Sequence, residues 1–370
     1  MKKSYKAMSA LILVAALCFS TSGFAQLTFL PRGSQMAKVS QRIGTTDVSV
    51  VYSRPSVNDR EVWGALVPYG MNNLGFGTAT ESPWRAGANE NTVFKTTHDL
   101  TIGGKTLPAG KYGLHMIVNE NNTATIIFSK NNTAWGSYFY EPSEDALRVD
   151  VDTKEAAHVE QLTYTFIDVD ATSAVVALNW GEKQIPFKVE VDVTNNVLAR
   201  IRKEFQTTPG FTRQSWEQAA NYAQNNGGDL DEALGWINAA REGQFFSRKT
   251  FNNAFIKAQI LAKQGNTAAA DAIMKEALPM GTVLEVHGYG RQLIGQGKNQ
   301  EALDVFKWNE KNHKGTWPVH YGLARGYSAM GDHKSTVKHL KIALQNAPAQ
   351  PNKDRVQANL DKAEKGEGIN

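Results

Sequence analysis

The chain has 370 residues, a net charge of +4 and a single cysteine. Its length suffices for two ordinary domains, and one cysteine excludes an internal disulfide framework. Lysines and arginines form no dense stripe, which excludes the usual electrostatic footprint of a nucleic-acid-binding protein.

Lys2, Lys3 and Lys6 precede an apolar run from Leu11 to Phe19, and Gly23-Phe24-Ala25 places small residues at the −3 and −1 positions of a cleavage site. This predicts a signal peptide over residues 1–25, cleaved after Ala25, and a periplasmic or secreted product. The apolar run is too short to span a bilayer as a helix, and no later stretch reaches that length. Cys18 lies inside the run behind a large Leu17, so lipidation is not expected. Beyond residue 25 the charges nearly balance, with 37 Lys and Arg against 36 Asp and Glu, but unevenly: residues 26–195 hold 14 and 19, and residues 196–370 hold 23 and 17.

From Lys38 to Val193 the pattern is that of strands. Val48, Val50 and Tyr52 share one parity, the period-two signature. Runs over 91–97, 99–102, 105–107, 112–118, 123–129, 147–152, 161–168, 174–180 and 185–193 follow, separated by turn residues such as Gly103-Gly104, Asn119 to Asn122 and Gly181 to Gln184. Short strands at this spacing, with no helical crossovers, predict an antiparallel β-sandwich or jelly-roll-like domain. Arg54 to Gly87 interrupts the pattern with Pro, Gly, Asn and Trp; a loop this long in a compact domain is often functional.

Pro31-Arg32-Gly33-Ser34, Tyr52-Ser53-Arg54-Pro55, Val67-Pro68-Tyr69-Gly70, Trp84 to Thr92, Ala109-Gly110-Lys111-Tyr112 and Trp135-Gly136 recur as a set. With them, roughly residues 30–195 resemble the domain of unknown function 2911 family of secreted bacterial proteins. The resemblance implies a secreted β domain, often followed by helices, and carries over no catalytic residue.

After Pro209-Gly210 the period becomes helical. Gly228, Gly265, Gly297 and Gly331 mark turns, the last three 32 and 34 residues apart. Seven residues before these last three lie Ala258, Gly290 and Ala324; nine after lie Met274, Phe306 and Leu340. Small residues let paired helices approach and the large one plugs the next unit, the logic of a helix–turn–helix array. Residues 212–351 therefore resemble degenerate tetratricopeptide repeats, with plain helical hairpins as the alternative. Asn309 stands where Ala277 and Ala343 predict a small residue, and the first unit slips by one before its glycine. Residues 196–211 read as a helical linker and 352–370 as a capping helix and a fraying tail, completing an α+β multidomain chain with its β domain at 26–195.

The most site-like stretch is Trp84-Arg85-Ala86-Gly87-Ala88-Asn89-Glu90. An arginine fork holds a carboxylate or phosphate bidentately, and a tryptophan beside it stacks on a sugar. The alternative is that Arg85 and Glu90 pair and order the loop. Trp84, Arg85, Asn89, Glu90, His98 and Trp135 are the ligand-binding candidates. Trp63, Trp84, Trp135, Tyr138 and Tyr140 are either an aromatic platform or core anchors. No catalytic residue, metal ligand or cofactor is assigned: His98 and His115 lack metal-site spacing, no nucleophile elbow occurs, and Gly75-Phe76-Gly77 lacks the rest of a phosphate loop. His333 and His339 are expected in solvent, Trp308 and Trp317 between repeats. The expected function is a non-catalytic envelope protein, binding a protein or peptide through its repeats and a partner or glycan through its β domain. The alternative is an envelope hydrolase with Arg85, Glu90 and His98 in a cleft under the 54–87 loop.

Overall fold

The computed structural model describes residues 30–313 and 315–370. The expected signal peptide and Cys18 lie outside the described residues. The described chain forms two compact units, the first ending at Val193 and the second running Thr194–Asn370.

The first unit is built of antiparallel strands: β1 (Gln35–Ile43), β2 (Thr46–Arg54), β3 (Val93–Thr96), β4 (Leu100–Ile102), β5 (Lys105–Leu107), β6 (Gly110–Val118), β7 (Thr123–Ser129), β8 (Asp145–Asp152), β9 (Lys154–Ile167) and β10 (Ser173–Glu190). They make a six-stranded sheet in the order β1-β2-β3-β6-β7-β8 and a four-stranded sheet in the order β5-β4-β10-β9. Alternation does the sorting. Thr46, Val48, Val50 and Tyr52 of β2 are buried, while Asp47 between them points to solvent. The sheets face each other over one core. Tyr52 of the large sheet meets Tyr164 of the small one at 4.7 Å, and Phe94 meets Phe187 at 6.1 Å.

One expected turn is no turn. Gly181 to Gln184 was expected to separate two strands, yet β10 runs through it, paired with β9 by way of register shifts on either side of Gly181. Gly181 has φ +56°, so its missing side chain lets it sit in a bulge.

The 54–87 segment is irregular but pinned. Val57 N–H donates to Glu160 O (2.8 Å), Gly70 N–H to Val118 O (2.9 Å) and Trp84 N–H to Met116 O (2.9 Å). Backbone groups that no strand ladder satisfies are thus satisfied by both sheets.

The second unit holds ten helices among the described residues: α1 (Val193–Glu204), α2 (Arg213–Asn225), α3 (Leu230–Arg241), α4 (Phe251–Lys263), α5 (Thr267–Ala277), α6 (Val283–Gly295), α7 (Asn299–Asn312), α8 (Trp317–Ala329), α9 (His333–Asn346) and α10 (Gln350–Glu364). From α2 to α9 they form four consecutive hairpins. Gly265, Gly297 and Gly331 close their hairpins with φ of +83°, +74° and +78°. In the first hairpin it is Gly227, at φ +76°, that takes this conformation, not Gly228. That extra residue is the physical origin of the one-residue slip. Phe306 is buried against Gly290 and Gly322, where an added Cβ would come within 2.5 and 2.6 Å of its ring.

Three local expectations change. Asn309 is fully buried, and its Nδ2 donates to Val283 O at 3.1 Å, so an amide takes the place of a small residue by capping a carbonyl. His339 is buried rather than solvated, stacked on Tyr327 with Nδ1 3.2 Å from Nδ1 of His320. The tail does not fray: Ile369 is 5% exposed, packs with Tyr321 and Leu360, and donates its N–H to Ser328 Oγ. Trp308 and Trp317 are partly buried against the helical cores. No described helix is long and apolar enough to cross a membrane.

Candidate functional site

The β unit carries a cleft of about 580 Å³ under the 54–87 segment. Its walls combine Trp84 and Trp180 with Arg60, Arg85, Asn72 and Asn89. That volume lies in the range of small-ligand sites.

The tryptophans come from two places in the fold. Trp63 and Trp84 belong to the long segment and Trp180 to β10. Trp84 stacks on Trp180 at 5.9 Å with 16° between the rings, and Trp63 meets both edge-on at 5.7 and 6.0 Å. Trp63 Nε1 donates to Trp180 O at 3.2 Å. Trp180 is 1% exposed, and its own indole N–H finds no acceptor among the described residues. An unsatisfied buried donor costs about 1–3 kcal/mol.

Left-handed backbone is concentrated beside the cleft. Six described residues other than glycine have φ in the left-handed region, and four of them, Asn58, Asp59, Ala86 and Asn89, lie in the segments bordering the cleft. Asn and Asp tolerate this conformation by local hydrogen bonding. Ala86, at φ +49°, has no such means, and the conformation costs of order 1–3 kcal/mol. It is held in place from outside. Ala86 O accepts from Tyr164 Oη at 2.9 Å and from Thr92 Oγ1 at 3.1 Å, and a side chain at Gly87 would meet Thr92 Oγ1 at 2.6 Å.

The expected site residues divide. Trp84, Arg85 and Asn89 line the cleft together. Asn89 Nδ2 donates to Ser34 O at 2.9 Å, tying the segment to the chain before β1. Arg85 does not pair with Glu90. Its Nη1 donates to Asn89 O at 2.9 Å and its guanidinium lies 5.2 Å over Tyr138, in a space left by Gly136. Glu90 pairs instead with Arg32, which also lies 5.4 Å over the half-exposed ring of Trp135. Glu90 and Trp135 thus form a surface cluster with Arg32, and neither lines the cleft. Partial burial pushes the Glu90 carboxyl up, but its own backbone N–H and the Arg32 guanidinium together hold it below the usual range.

His98 is elsewhere again. Its Nδ1 lies 3.1 Å from Thr46 Oγ1, at the start of β2, whereas the cleft adjoins the far end at Arg54-Pro55. Nine residues of extended chain separate these ends by roughly 26 Å. Arg85, Glu90 and His98 are therefore not brought into one constellation. Nor do the five aromatic candidates form one platform. Tyr138 lies under Arg85, and Tyr140 is buried, donating to Asp145 Oδ2 at 2.7 Å.

The sequence reading missed His115 as a neighbour of the site and Trp180 as its wall. His115 is buried, with Nδ1 2.9 Å from Ser137 Oγ. Desolvation, reinforced by the positive Arg85, pushes its pKa down to about 4. Among the described residues no three His, Cys, Asp or Glu side chains converge on a metal-sized site.

Residues 34–189, the β unit almost to its end, match a family described as Protein of unknown function (DUF2911). No curated protein matches the chain.

Proposed function

We propose that this chain is a non-catalytic binding protein of the bacterial envelope, whose β unit takes a small polar ligand, a saccharide, in the Trp84 cleft. The observation that carries this reading is the left-handed backbone of Asn58 and Asn89, which line a ligand-sized concavity, together with that of their neighbours Asp59 and Ala86. Strain of this kind persists only where surrounding structure enforces it, and it gathers at ligand sites. Trp84, with part of its ring surface accessible, and the amides of Asn72 and Asn89 suit the apolar faces and hydroxyls of a sugar. The cleft lining among the described residues includes Ser34, Ser56 and Ser82 but no Asp, Glu or His, the groups that would serve as the general base to activate a serine.

The four helical hairpins, spaced like tetratricopeptide repeats, support a second role as a peptide-binding array. A groove of about 270 Å³ between α4, α5 and α6, with Gln259, Gln292 and Tyr289 on its walls, is the place for such a partner. Lys2 to Lys6 and the Ala25 site support export to the periplasm or beyond, with residues 26–370 as the mature form.

A glycan array probed with the full chain and with Trp84→Ala tests the reading. Retention of one glycan class that the variant loses, with the retained glycans intact by mass spectrometry, is the expected result. Cleaved glycans would make the protein an enzyme, and retention that survives the substitution would place binding outside the cleft.

A further inference from the structure

We infer that the ligand of this cleft is an acidic saccharide, its carboxylate held by Arg60 and Arg85; this rests on the cleft being the binding site. The charge distribution makes the argument. Residues 26–195 hold 14 basic and 19 acidic side chains, yet the cleft is lined by two arginines and no carboxylate among the described residues. In an acidic unit a cation would ordinarily find an acidic neighbour. These two do not. Arg60 donates Nε to Val57 O at 2.9 Å and Nη2 to Ser56 O at 2.6 Å, and Arg85 donates Nη1 to Asn89 O. All three acceptors are backbone carbonyls, which orient the guanidinium planes without neutralising them. Asp59 and Glu61 flank Arg60 in sequence, but neither lines the cleft or reaches ion-pair distance of it. Glu90, the nearest acid to Arg85 in sequence on its C-terminal side, is taken by Arg32.

Two guanidinium groups with no carboxylate at ion-pair distance among the described residues, Arg85 half-buried and Arg60 exposed at the edge, give the cleft a positive potential. Each retains N–H groups in the fork geometry that matches a carboxylate. The remaining polar lining is uncharged: the amides of Asn58, Asn72 and Asn89 and the hydroxyls of Ser34 and Ser56. Such groups address hydroxyls, and Trp84 and Leu74 offer the apolar contact that a pyranose C–H face makes. One anionic group among many hydroxyls is the ligand this lining complements.

The test is isothermal titration of the full chain with trigalacturonate and 3′-sialyllactose, each against its neutral counterpart, galactotriose and lactose. It is repeated with Arg60→Gln, Arg85→Gln and Trp84→Ala. Arg60 is exposed and bonds only to carbonyls, so its variant keeps the fold even if loss of the Arg85 contact to Tyr138 loosens the other. The expected result is that an acidic sugar binds at least about tenfold tighter than its neutral counterpart, with each arginine variant losing about that factor, the value of one charged hydrogen bond. Added salt should narrow the gap. Equal affinity for acidic and neutral sugars, unchanged by the arginine variants but abolished by Trp84→Ala, overturns the inference while leaving the cleft as the site. Binding indifferent to Trp84→Ala defeats both. Failure of every acidic sugar to bind the wild type overturns the inference.

Discussion

The two units bury their apolar residues in different ways. The β unit has one core, in which Trp180, Tyr164, Phe94 and Phe128 from both sheets belong to a single cluster. The helical unit has three smaller ones, around Trp236, around Phe306 and around Tyr321. The helical clusters follow one another along the chain, the largest running from Phe251 to Leu323 over successive hairpins, while the β core joins residues more than a hundred positions apart, as Tyr52 and Tyr164 are. A single core shared by all its strands should fail as a whole. A chain of local cores should fail piece by piece, with stability close to a sum of neighbour terms.

The hardest blow to that contrast is Trp180→Ala. Truncating a fully buried tryptophan costs about 3–5 kcal/mol, and here it also removes the surface on which Trp84 stacks. We expect guanidinium unfolding to show the β transition at much lower denaturant, with the helical far-UV signal unmoved. Coincident loss of both signals would show that the units do not hold their cores separately.

Acidification comes next and tests whether the two units share a response. In the folded β unit the pKa of His115 lies at about 4 instead of 6.5, because burial disfavours the charged ring and Arg85 adds to that. The unfolded chain therefore takes up a proton, as pH falls below 6.5, that the folded chain refuses. Stability is whole above pH 6.5, declines between there and pH 4, and levels off below, the loss reaching about 3 kcal/mol. His115→Asn should flatten the slope for the β unit. His287, whose Nδ1 lies 3.1 Å from Pro318 O, is pushed to about 4 by the same cause, so the helical unit loosens over the same window. An unaltered slope in His115→Asn would assign the pH response to other groups.

Gly290→Ala comes third. The new methyl would meet the Phe306 ring at 2.5 Å, and overpacking of this kind costs about 1–3 kcal/mol. Hydrogen exchange should quicken in α6, α7 and α8 and stay unchanged in α2 and α3. A uniform rise along the unit would mean that the helices behave as one core after all.

The same contrast governs how much was legible beforehand. Helical hairpins repeat, so Gly265, Gly297 and Gly331 announced their turns by spacing, and the doubled Gly227-Gly228 betrayed itself as a slip. Strands were legible by alternation wherever one face is buried. They failed at Gly181 to Gln184 because a bulge and a turn draw on the same residue types. The cleft was half legible. Trp84, Arg85 and Asn89 are local, and the composition of 54–87 marked it. Trp180 and Tyr164 sit in ordinary strands, and nothing in their neighbourhoods says that one walls the cleft and the other holds Ala86 in place. Glu90 was misjudged for the same reason: its partner, Arg32, is 58 residues away, and five residues of sequence proximity to Arg85 were no guide.

The smallest expected effect separates two ion pairs of similar geometry. Arg42 holds Asp47 through Nε and Nη2 at 2.8 and 2.9 Å across the β1–β2 hairpin, and Arg202 holds Glu232 through both nitrogens at 2.7 Å between α1 and α3. The first pair is open to solvent, with side chains 69% and 50% exposed, and joins strands whose register nine residue pairs already fix. Arg42→Ala should leave the β transition where it is. The second pair, with Glu232 at 27% exposure, helps fasten a helix that precedes the first hairpin and has no hairpin partner of its own. Glu232→Gln should lower the helical transition by about 0.5 kcal/mol, the usual worth of a surface pair after solvent screening. If Arg42→Ala has the larger effect, the strength of a contact rather than the number of contacts around it decides which element lets go first.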